Sequence, residues 1–269
     1  MAEMEHVSLF PLDPWEYRGG RWEIASRFIP VEHPITVYVN GTEVATLMAS
    51  PHEPLALGLG FVANEGWIES MDDVEIARVC GTGDCVDLWL RRPVPGPVRR
   101  VFTSGCTGGQ TLDLPSHIEL PPLPDGAPVS PQSLFDWLRE LQQRSPLYQQ
   151  GRGIHGAGLV KDGSLQLVAE DIGRHNALDR LRGLALLKGV DTRGGILLTT
   201  GRISAEMALK AARMGCPIVA SRTTATSLAV QLARRWNLTL VAYLRGNRFW
   251  VYTGVHRIQG HEALWGREP

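Results

Sequence analysis

The sequence predicts an α/β protein with a sheet that is largely parallel or mixed, preceded by a smaller, mainly β region. Three observations predict this. Apolar runs and helically spaced segments alternate from about residue 155 to 253, the pattern of strands joined by helices that cover them. Val37-Tyr-Val-Asn40-Gly41-Thr-Glu-Val is a hairpin signal, because Asn-Gly supplies the positive φ angles of a tight primed turn. Ala177, Leu178, Leu181, Leu184 and Ala185 fall on one helical face directly after the apolar run Leu165–Ala169.

In chain order, residues 1–20 mix Pro, Trp and Gly without period and read as a loose arm. Residues 21–95 form the β-rich domain: the hairpin, a helix over Glu53–Asn64, and strands over Val74–Val79 and Val86–Leu90. Residues 96–129 are rich in Pro and Gly and form a linker. Ser130-Pro131 opens a helix as cap and first-turn proline, and residues 130–255 form the α/β domain. Its strands are expected at 155–160, 165–169, 195–200, 217–220, 238–244 and 248–253, and its helices at 174–188, 203–214 and 226–236. Residues 256–269 are a tail.

Composition narrows function. The 269 residues carry a net charge of −1, which gives no global attraction to nucleic acid or an anionic surface. No apolar run reaches membrane-spanning length, and the first residues lack the form of a secretory signal, so a cytoplasmic protein is expected. In that compartment Cys80, Cys85, Cys106 and Cys216 are not expected to form disulfides. A zinc site built from Cys80, Cys85, Cys106 and a histidine is weakly supported by the spacing. Cys216, before Pro217 and an apolar strand, is expected to be buried and inert.

The densest chemistry is Glu170-Asp-Ile-Gly-Arg-His-Asn-Ala-Leu-Asp-Arg180, at the carboxyl end of a strand and the amino end of a helix. Ligands of open α/β sheets bind at such junctions. Simple capping by Asp171 accounts for one of these polar residues and leaves the rest to be explained. Thr199-Thr-Gly-Arg-Ile-Ser204, Ser221-Arg-Thr-Thr-Ala-Thr-Ser227 and Arg245-Gly-Asn-Arg248 fall at other strand ends with hydroxyls and arginines. Together they suggest a shared anion or nucleotide pocket. Gly151-Arg-Gly-Ile-His155-Gly156 spells a dinucleotide motif but precedes a strand, the wrong context. His117-Ile-Glu119 spells half of a zinc deaminase signature without its cysteine half. Cys106, within Thr103-Ser-Gly-Cys-Thr-Gly-Gly-Gln110, is either a reactive thiolate stabilised by loop N–H groups or an ordinary loop thiol.

These motifs resemble the FdhD formate dehydrogenase accessory sulfurtransferases. Glu170–Asp179, Thr200-Gly-Arg-Ile-Ser-Ala-Glu-Met207, Ala225-Thr-Ser-Leu-Ala229 and Leu244-Arg-Gly-Asn-Arg-Phe249 carry the resemblance, with Leu55–Gly58 and Asn64-Glu-Gly66 adding to it. The resemblance implies a cytidine-deaminase-like three-layer core without deaminase zinc. It implies a sulfur carrier that takes persulfide sulfur from a cysteine desulfurase onto Cys106. From there the sulfur passes to the molybdenum cofactor bis-(molybdopterin guanine dinucleotide) for a molybdenum- or tungsten-dependent formate dehydrogenase. Cofactor binding is expected at Tyr243, Leu244, Arg245, Gly246, Asn247, Arg248, His155, Asp171, Arg174, His175, Asn176, Thr200, Gly201, Arg202, Thr226 and Ser227. Guanine nucleotides are expected at the same site, no resident metal is implied, and homodimer formation stays open. The family's second loop cysteine is Gly109 here, so a cofactor-binding chaperone without sulfur transfer is the alternative. A zinc hydrolase of the deaminase type comes third.

Overall fold

The computed structural model describes residues 8–93, 101–102, 110–111 and 118–261, without the side chains of 101–102 and 110–111. Strands β1 (Leu9–Leu12), β2 (Trp15–Arg18), β3 (Arg21–Ile24) and β4 (Arg27–Pro30) come first, then β5 (His33–Val39) and β6 (Thr42–Ala49). Helix α1 (Pro54–Asn64) leads to β7 (Val74–Val79), β8 (Cys85–Leu90), β9 (Val101–Phe102) and β10 (Gln110–Thr111). Helices α2 (Pro131–Gln143) and α3 (Pro146–Gly151) precede β11 (His155–Lys161), β12 (Ser164–Asp171) and α4 (Arg174–Leu187). The chain continues through β13 (Ile196–Thr199), α5 (Ala205–Arg213), β14 (Ile218–Ser221), α6 (Ser227–Arg235), β15 (Thr239–Arg245) and β16 (Arg248–Thr253).

The architecture is mixed α/β. A six-stranded sheet runs in the order β12-β11-β13-β14-β15-β16. It is parallel at its centre, β13–β14–β15, and antiparallel at β12–β11–β13 and β15–β16. Its two faces are both buried, which is why β13 and β14 read as unbroken apolar runs. One face meets Leu134, Leu138 and Leu141 of α2; the other meets the apolar stripes of α4, α5 and α6. A second sheet, β6-β5-β8-β7, packs on α1 through Ile35, Val37, Leu57, Phe61 and Leu88. The hairpin turn sits where Asn40-Gly41 predicts it, with Val39 opposite Thr42 and φ of 50° and 77° at the two turn residues.

The two sheets are joined through helices. Helix α1 is apolar all round because it lies between the smaller sheet and α4. Gly60 and Gly183 make that crossing possible. A Cβ on Gly60 would strike the Asp179 carbonyl, and one on Gly183 would strike the Ala56 carbonyl. Backbone thus rests on backbone, closer than any side chain allows.

Two expectations need correction. Residues 9–30 are not loose: β1 pairs with β4 and β2 with β3, both antiparallel, around a Gly19-Gly20 turn with positive φ at both positions. Cys80 and Cys85 form a disulfide with Cα atoms 5.3 Å apart, since they face each other where the β7–β8 hairpin closes, Cys80 N–H donating to the Cys85 carbonyl at 2.9 Å. That pairing also withdraws two of the three thiols from the zinc site considered above. Cys216 is fully buried, its thiol pushed up to about 12 by burial. Among the described residues no helix is long and apolar enough to cross a membrane.

The Gly183→Ala substitution is expected to destabilise the fold by about 3 kcal/mol, because a backbone-to-backbone contact cannot relax around an added methyl group. Urea unfolding measures this, and an unchanged midpoint would refute the close crossing.

Candidate functional site at one sheet edge

Strands β12, β13, β14 and β15 all end at one edge of the large sheet, where antiparallel β11 and β16 begin. This topology brings Glu170–Arg174, Thr199–Arg202, Ser221–Thr226, Tyr243–Arg245, His155 and Arg248 to the same side. The predicted clustering of strand-end motifs follows directly from it.

Within that edge the Glu170–Arg180 segment divides into two roles. The first is a latch to the smaller sheet. Asp171 is fully buried and both its oxygens are occupied: Oδ2 accepts from Arg180 Nη2 at 2.6 Å and Ser50 N–H at 3.2 Å, Oδ1 from Gly173 N–H at 2.9 Å and Asn176 Nδ2 at 3.2 Å. Arg180 Nη2 also donates to the Ser50 carbonyl at 2.9 Å and Nη1 to the His52 carbonyl, while Asn176 Nδ2 reaches the Met48 carbonyl at 2.7 Å. Burial pushes the Asp171 carboxyl up, against the opposing pull of Arg180. Asp171 and Asn176, expected as ligand contacts, are engaged between the layers. Glu170 turns the other way and accepts from Leu147 and Tyr148 N–H at 3.1 and 2.8 Å, holding the first turn of α3; burial raises its carboxyl.

The second role belongs to the open side. Arg174 begins α4 with its stem against Gly201, where a Cβ would collide with the Arg174 side chain. His155 Nδ1 lies 3.4 Å from Thr200 Oγ1, which also accepts from Gly156 N–H at 3.0 Å. His175 Nε2 lies 3.0 Å from Ser204 Oγ and 3.1 Å from Glu206 Oε2. Burial, then the positive field of Lys210, Arg174, His155 and Arg202, holds His175 well below its ordinary value, so it is neutral. His155 is lowered by burial and Arg174. The field over this patch is positive, and proton storage on the histidines is disfavoured.

The remaining predicted residues sort by orientation. Ser204 and Thr226 cap α5 and α6, accepting from Met207 and Ala229 N–H at 3.3 Å, and Ser227 is exposed on the first turn of α6. Ser221 Oγ donates to the Gly201 carbonyl at 2.6 Å, fixing one motif to the next. Leu244 points into the core and offers a ligand its backbone alone. Arg245, Gly246, Asn247 and Arg248 form an exposed turn with positive φ at Gly246 and Asn247. Tyr243 holds φ of 53°, and its ring packs 4.4 Å from Trp250 with the Arg245 guanidinium 5.5 Å above it. Such a conformation in a bulky residue is costly and is a mark of functional positions.

Sequence reasoning missed the buried pair behind this edge. Lys210 Nζ donates to Asp179 at 2.7 and 2.8 Å, and Asn64 Nδ2 donates to Asp179 Oδ1 at 2.7 Å. Burial alone would lower the Lys210 ammonium, but Asp179, Glu206 and Glu65 outweigh it and hold it above its ordinary value. Arg222, the arginine of the Ser221–Ser227 motif, donates from Nη1 to Tyr148 Oη at 3.4 Å and lowers that phenol. Cys106 lies outside the described residues, in the stretch between antiparallel β9 and β10.

The fold and site define a mixed α/β protein with a basic, hydroxyl-lined edge on its central sheet. The chain belongs to the FdhD/NarQ family, whose pattern matches residues 30–259. It is 33% identical over 252 residues to the sulfur carrier protein FdhD of Bacillus subtilis, spanning 92% of this chain and 96% of the relative. It is 36% identical over 249 residues to that of Nocardia farcinica, spanning 87% and 89%. The crystal structure of a candidate formate dehydrogenase accessory protein from Desulfotalea psychrophila superposes with a TM-score of 0.80 at 30% identity, covering 94% of this chain and all of that one.

Three histidines with depressed proton affinity, one buried and two half-buried, set a pH dependence. His52 is lowered to about 3 by burial and by Arg180; His155 and His175 are lowered too. Each stays neutral when folded and takes a proton near pH 6.5 when unfolded. Stability from His52 is complete above about pH 6.5 and is lost as pH falls from there toward about 3, by up to about 1.4 kcal/mol per pH unit, with His155 and His175 adding losses of the same sign. Urea unfolding between about pH 7.5 and 5.5 is expected to show that loss, and His52→Asn to flatten the profile by one histidine's share. An unflattened profile would contradict the burial of a neutral His52.

Proposed function

We propose that this chain is a cytoplasmic sulfur carrier with sulfurtransferase activity. It takes sulfane sulfur from a cysteine desulfurase on Cys106 and delivers it to bis-(molybdopterin guanine dinucleotide) destined for formate dehydrogenase. The observation that carries this reading is the single sheet edge gathering Arg174, Arg202, Arg222, Arg245 and Arg248 with strand-end hydroxyls, in a chain whose relatives are named sulfur carriers.

The donor set suits the cargo. A guanine dinucleotide carries pyrophosphate, for which the planar guanidinium fork and helix amino termini are matched partners. His155, Thr200, Gly201, Arg202 and Arg174 would hold one such end. The Tyr243 backbone, the Arg245–Arg248 turn, Thr226 and Ser227 would hold another, with the Tyr243–Trp250 rings as an apolar surface for a base. His175, neutral and buried, orients Ser204 and does not shuttle protons at neutral pH.

The sulfur step needs one thiol. The Cys106 thiolate attacks the outer sulfur of a donor persulfide, the donor S–S bond breaks, and the donor cysteine leaves as thiolate. An acceptor that supplies two electrons then takes the outer sulfur as sulfide and frees the Cys106 thiolate. Gly109, where the family pattern has a second cysteine, favours the alternative of a chaperone that binds the cofactor without sulfur chemistry.

Incubation with a cysteine desulfurase and cysteine is expected to add the mass of one sulfur atom to the wild type and none to Cys106→Ser. Equal labelling of both would refute the carrier role, and full complementation by Cys106→Ala in cells lacking the native accessory protein would establish the chaperone. For the nucleotide site, Arg202→Ala is expected to weaken GDP binding about tenfold, the loss of one charge-assisted hydrogen bond. Calorimetry measures it, and unaltered affinity would remove Arg202 from the site.

A further inference from the structure

Helix α3 ends in Gly151-Arg152-Gly153, where the chain turns toward β11 and Arg152 N–H donates to the Tyr148 carbonyl at 3.1 Å. Gly151 lies against the Leu9 side chain, where a Cβ would collide, and Gly153 holds φ of 60°. Between them Arg152 holds φ of 54° with ψ of −172°. That combination lies outside the left-handed helical well and close to a region reserved almost wholly for glycine. An arginine is thus kept where the backbone asks for a third glycine.

The Arg152 side chain returns over its own helix, its guanidinium 5.2 Å from the centre of the half-buried Tyr148 ring. Arg222 approaches the same ring from the end of β14, Nη1 donating to Tyr148 Oη at 3.4 Å. Both arginines lower the phenol, Arg222 the more. Among the described residues neither Arg152 nor Arg222 is ion-paired with a carboxylate, in contrast to Arg180 and Arg257. A cation–π contact at such a ring contributes no more than the backbone conformation costs, so the contact does not by itself account for an arginine here. Position supplies the reason. Arg222 N–H donates to the Thr199 carbonyl at 3.2 Å, beside Thr200, whose Oγ1 lies 3.4 Å from His155 Nδ1. The two arginines therefore converge on one phenol directly alongside the His155–Thr200 part of the edge.

We propose that Tyr148, Arg152 and Arg222 form a clamp for a second phosphate, by which this edge distinguishes a nucleoside diphosphate, or the pyrophosphate of a dinucleotide, from a nucleoside monophosphate. The inference rests on the reading of this edge as a guanine nucleotide site and adds the residues that decide which nucleotide is held. Two planar guanidinium forks suit the oxygens of a phosphate joined to another already bound. The strained turn fixes Arg152 in advance, so little side-chain freedom is lost when the anion arrives. The Tyr148 ring supports that guanidinium by its face, and its hydroxyl is a further donor to the same oxygens. A monophosphate is held by the His155, Thr200 and Arg202 groups and leaves the clamp unused.

Calorimetry with GDP and GMP on the full chain tests this, with urea unfolding alongside. The wild type is expected to bind GDP at least about tenfold more tightly than GMP, through charge-assisted hydrogen bonds to one more phosphate. Arg152→Gly is expected to weaken GDP about tenfold and GMP less than about twofold. Its unfolding midpoint is expected to rise, because glycine takes this backbone conformation without strain. Arg222→Met, which leaves the turn untouched, is expected to narrow the preference for GDP in the same way. A preference unchanged in both variants would overturn the proposal. So would an equal loss for the two nucleotides, or a lower midpoint in Arg152→Gly, either of which makes the arginine a support for the fold. Arg202→Ala separates the two readings: where it weakens both nucleotides and the clamp variants weaken neither, the nucleotide edge stands and the clamp falls. A wild type that binds neither nucleotide overturns both.

Discussion

The contact of α1 with α4 at Gly60 and Gly183 is the constraint on which the rest of the structure depends. Neither sheet touches the other broadly; they meet through these two helices, and the helices meet backbone to backbone. Further bridges between the halves flank this crossing on α4. Asn176 and Arg180 reach forward to the carbonyls of Met48, Ser50 and His52. Asp179 reaches back to Asn64 and Lys210. Buried ions of this kind are poor sources of net stability but costly to break singly. They fix one arrangement of the layers, and the glycines let the layers approach near enough for the side chains to meet.

The same helix divides its residues between holding and presenting. Positions facing the smaller sheet are spent in the latch. Those at its amino end, Arg174 and His175, turn toward the strand-end loops. Glu170 faces α3 and Asp171 faces Arg180, while Glu206 lies 3.1 Å from His175 Nε2. The neutral state of His175 fits this economy, because a further buried cation among Arg174, Arg202 and Lys210 would be strongly disfavoured.

Much of this was legible in the sequence. The Asn40-Gly41 turn, the helix after Ser130-Pro131 and the strand–helix order from 155 to 253 all rest on local chemistry, and they stand where local chemistry puts them. So does the convergence of motifs on one edge, which follows from strand direction alone. The latch was illegible because its partners lie 121 to 130 residues apart, and nothing local distinguishes a carboxylate awaiting a ligand from one awaiting an arginine. The Cys80–Cys85 bridge depends on hairpin register, which fixed spacing did not convey. The ribbon over residues 9–30 did carry a signal, alternation on either side of Gly19-Gly20.

Lysine is nearly absent from this protein: Lys161, Lys188 and Lys210 stand among 27 basic residues. Lys210 is sealed between Asp179 and the α1–α4 crossing, and Lys161 donates its ammonium to the Arg193 carbonyl. Lys188, at the end of α4, is the most exposed of the three. Amine-directed chemistry, whether acylation in the cell or a cross-linker at the bench, thus meets a surface whose positive charge is carried almost wholly by guanidinium. The binding edge keeps its charge under conditions that would neutralise a lysine-based one.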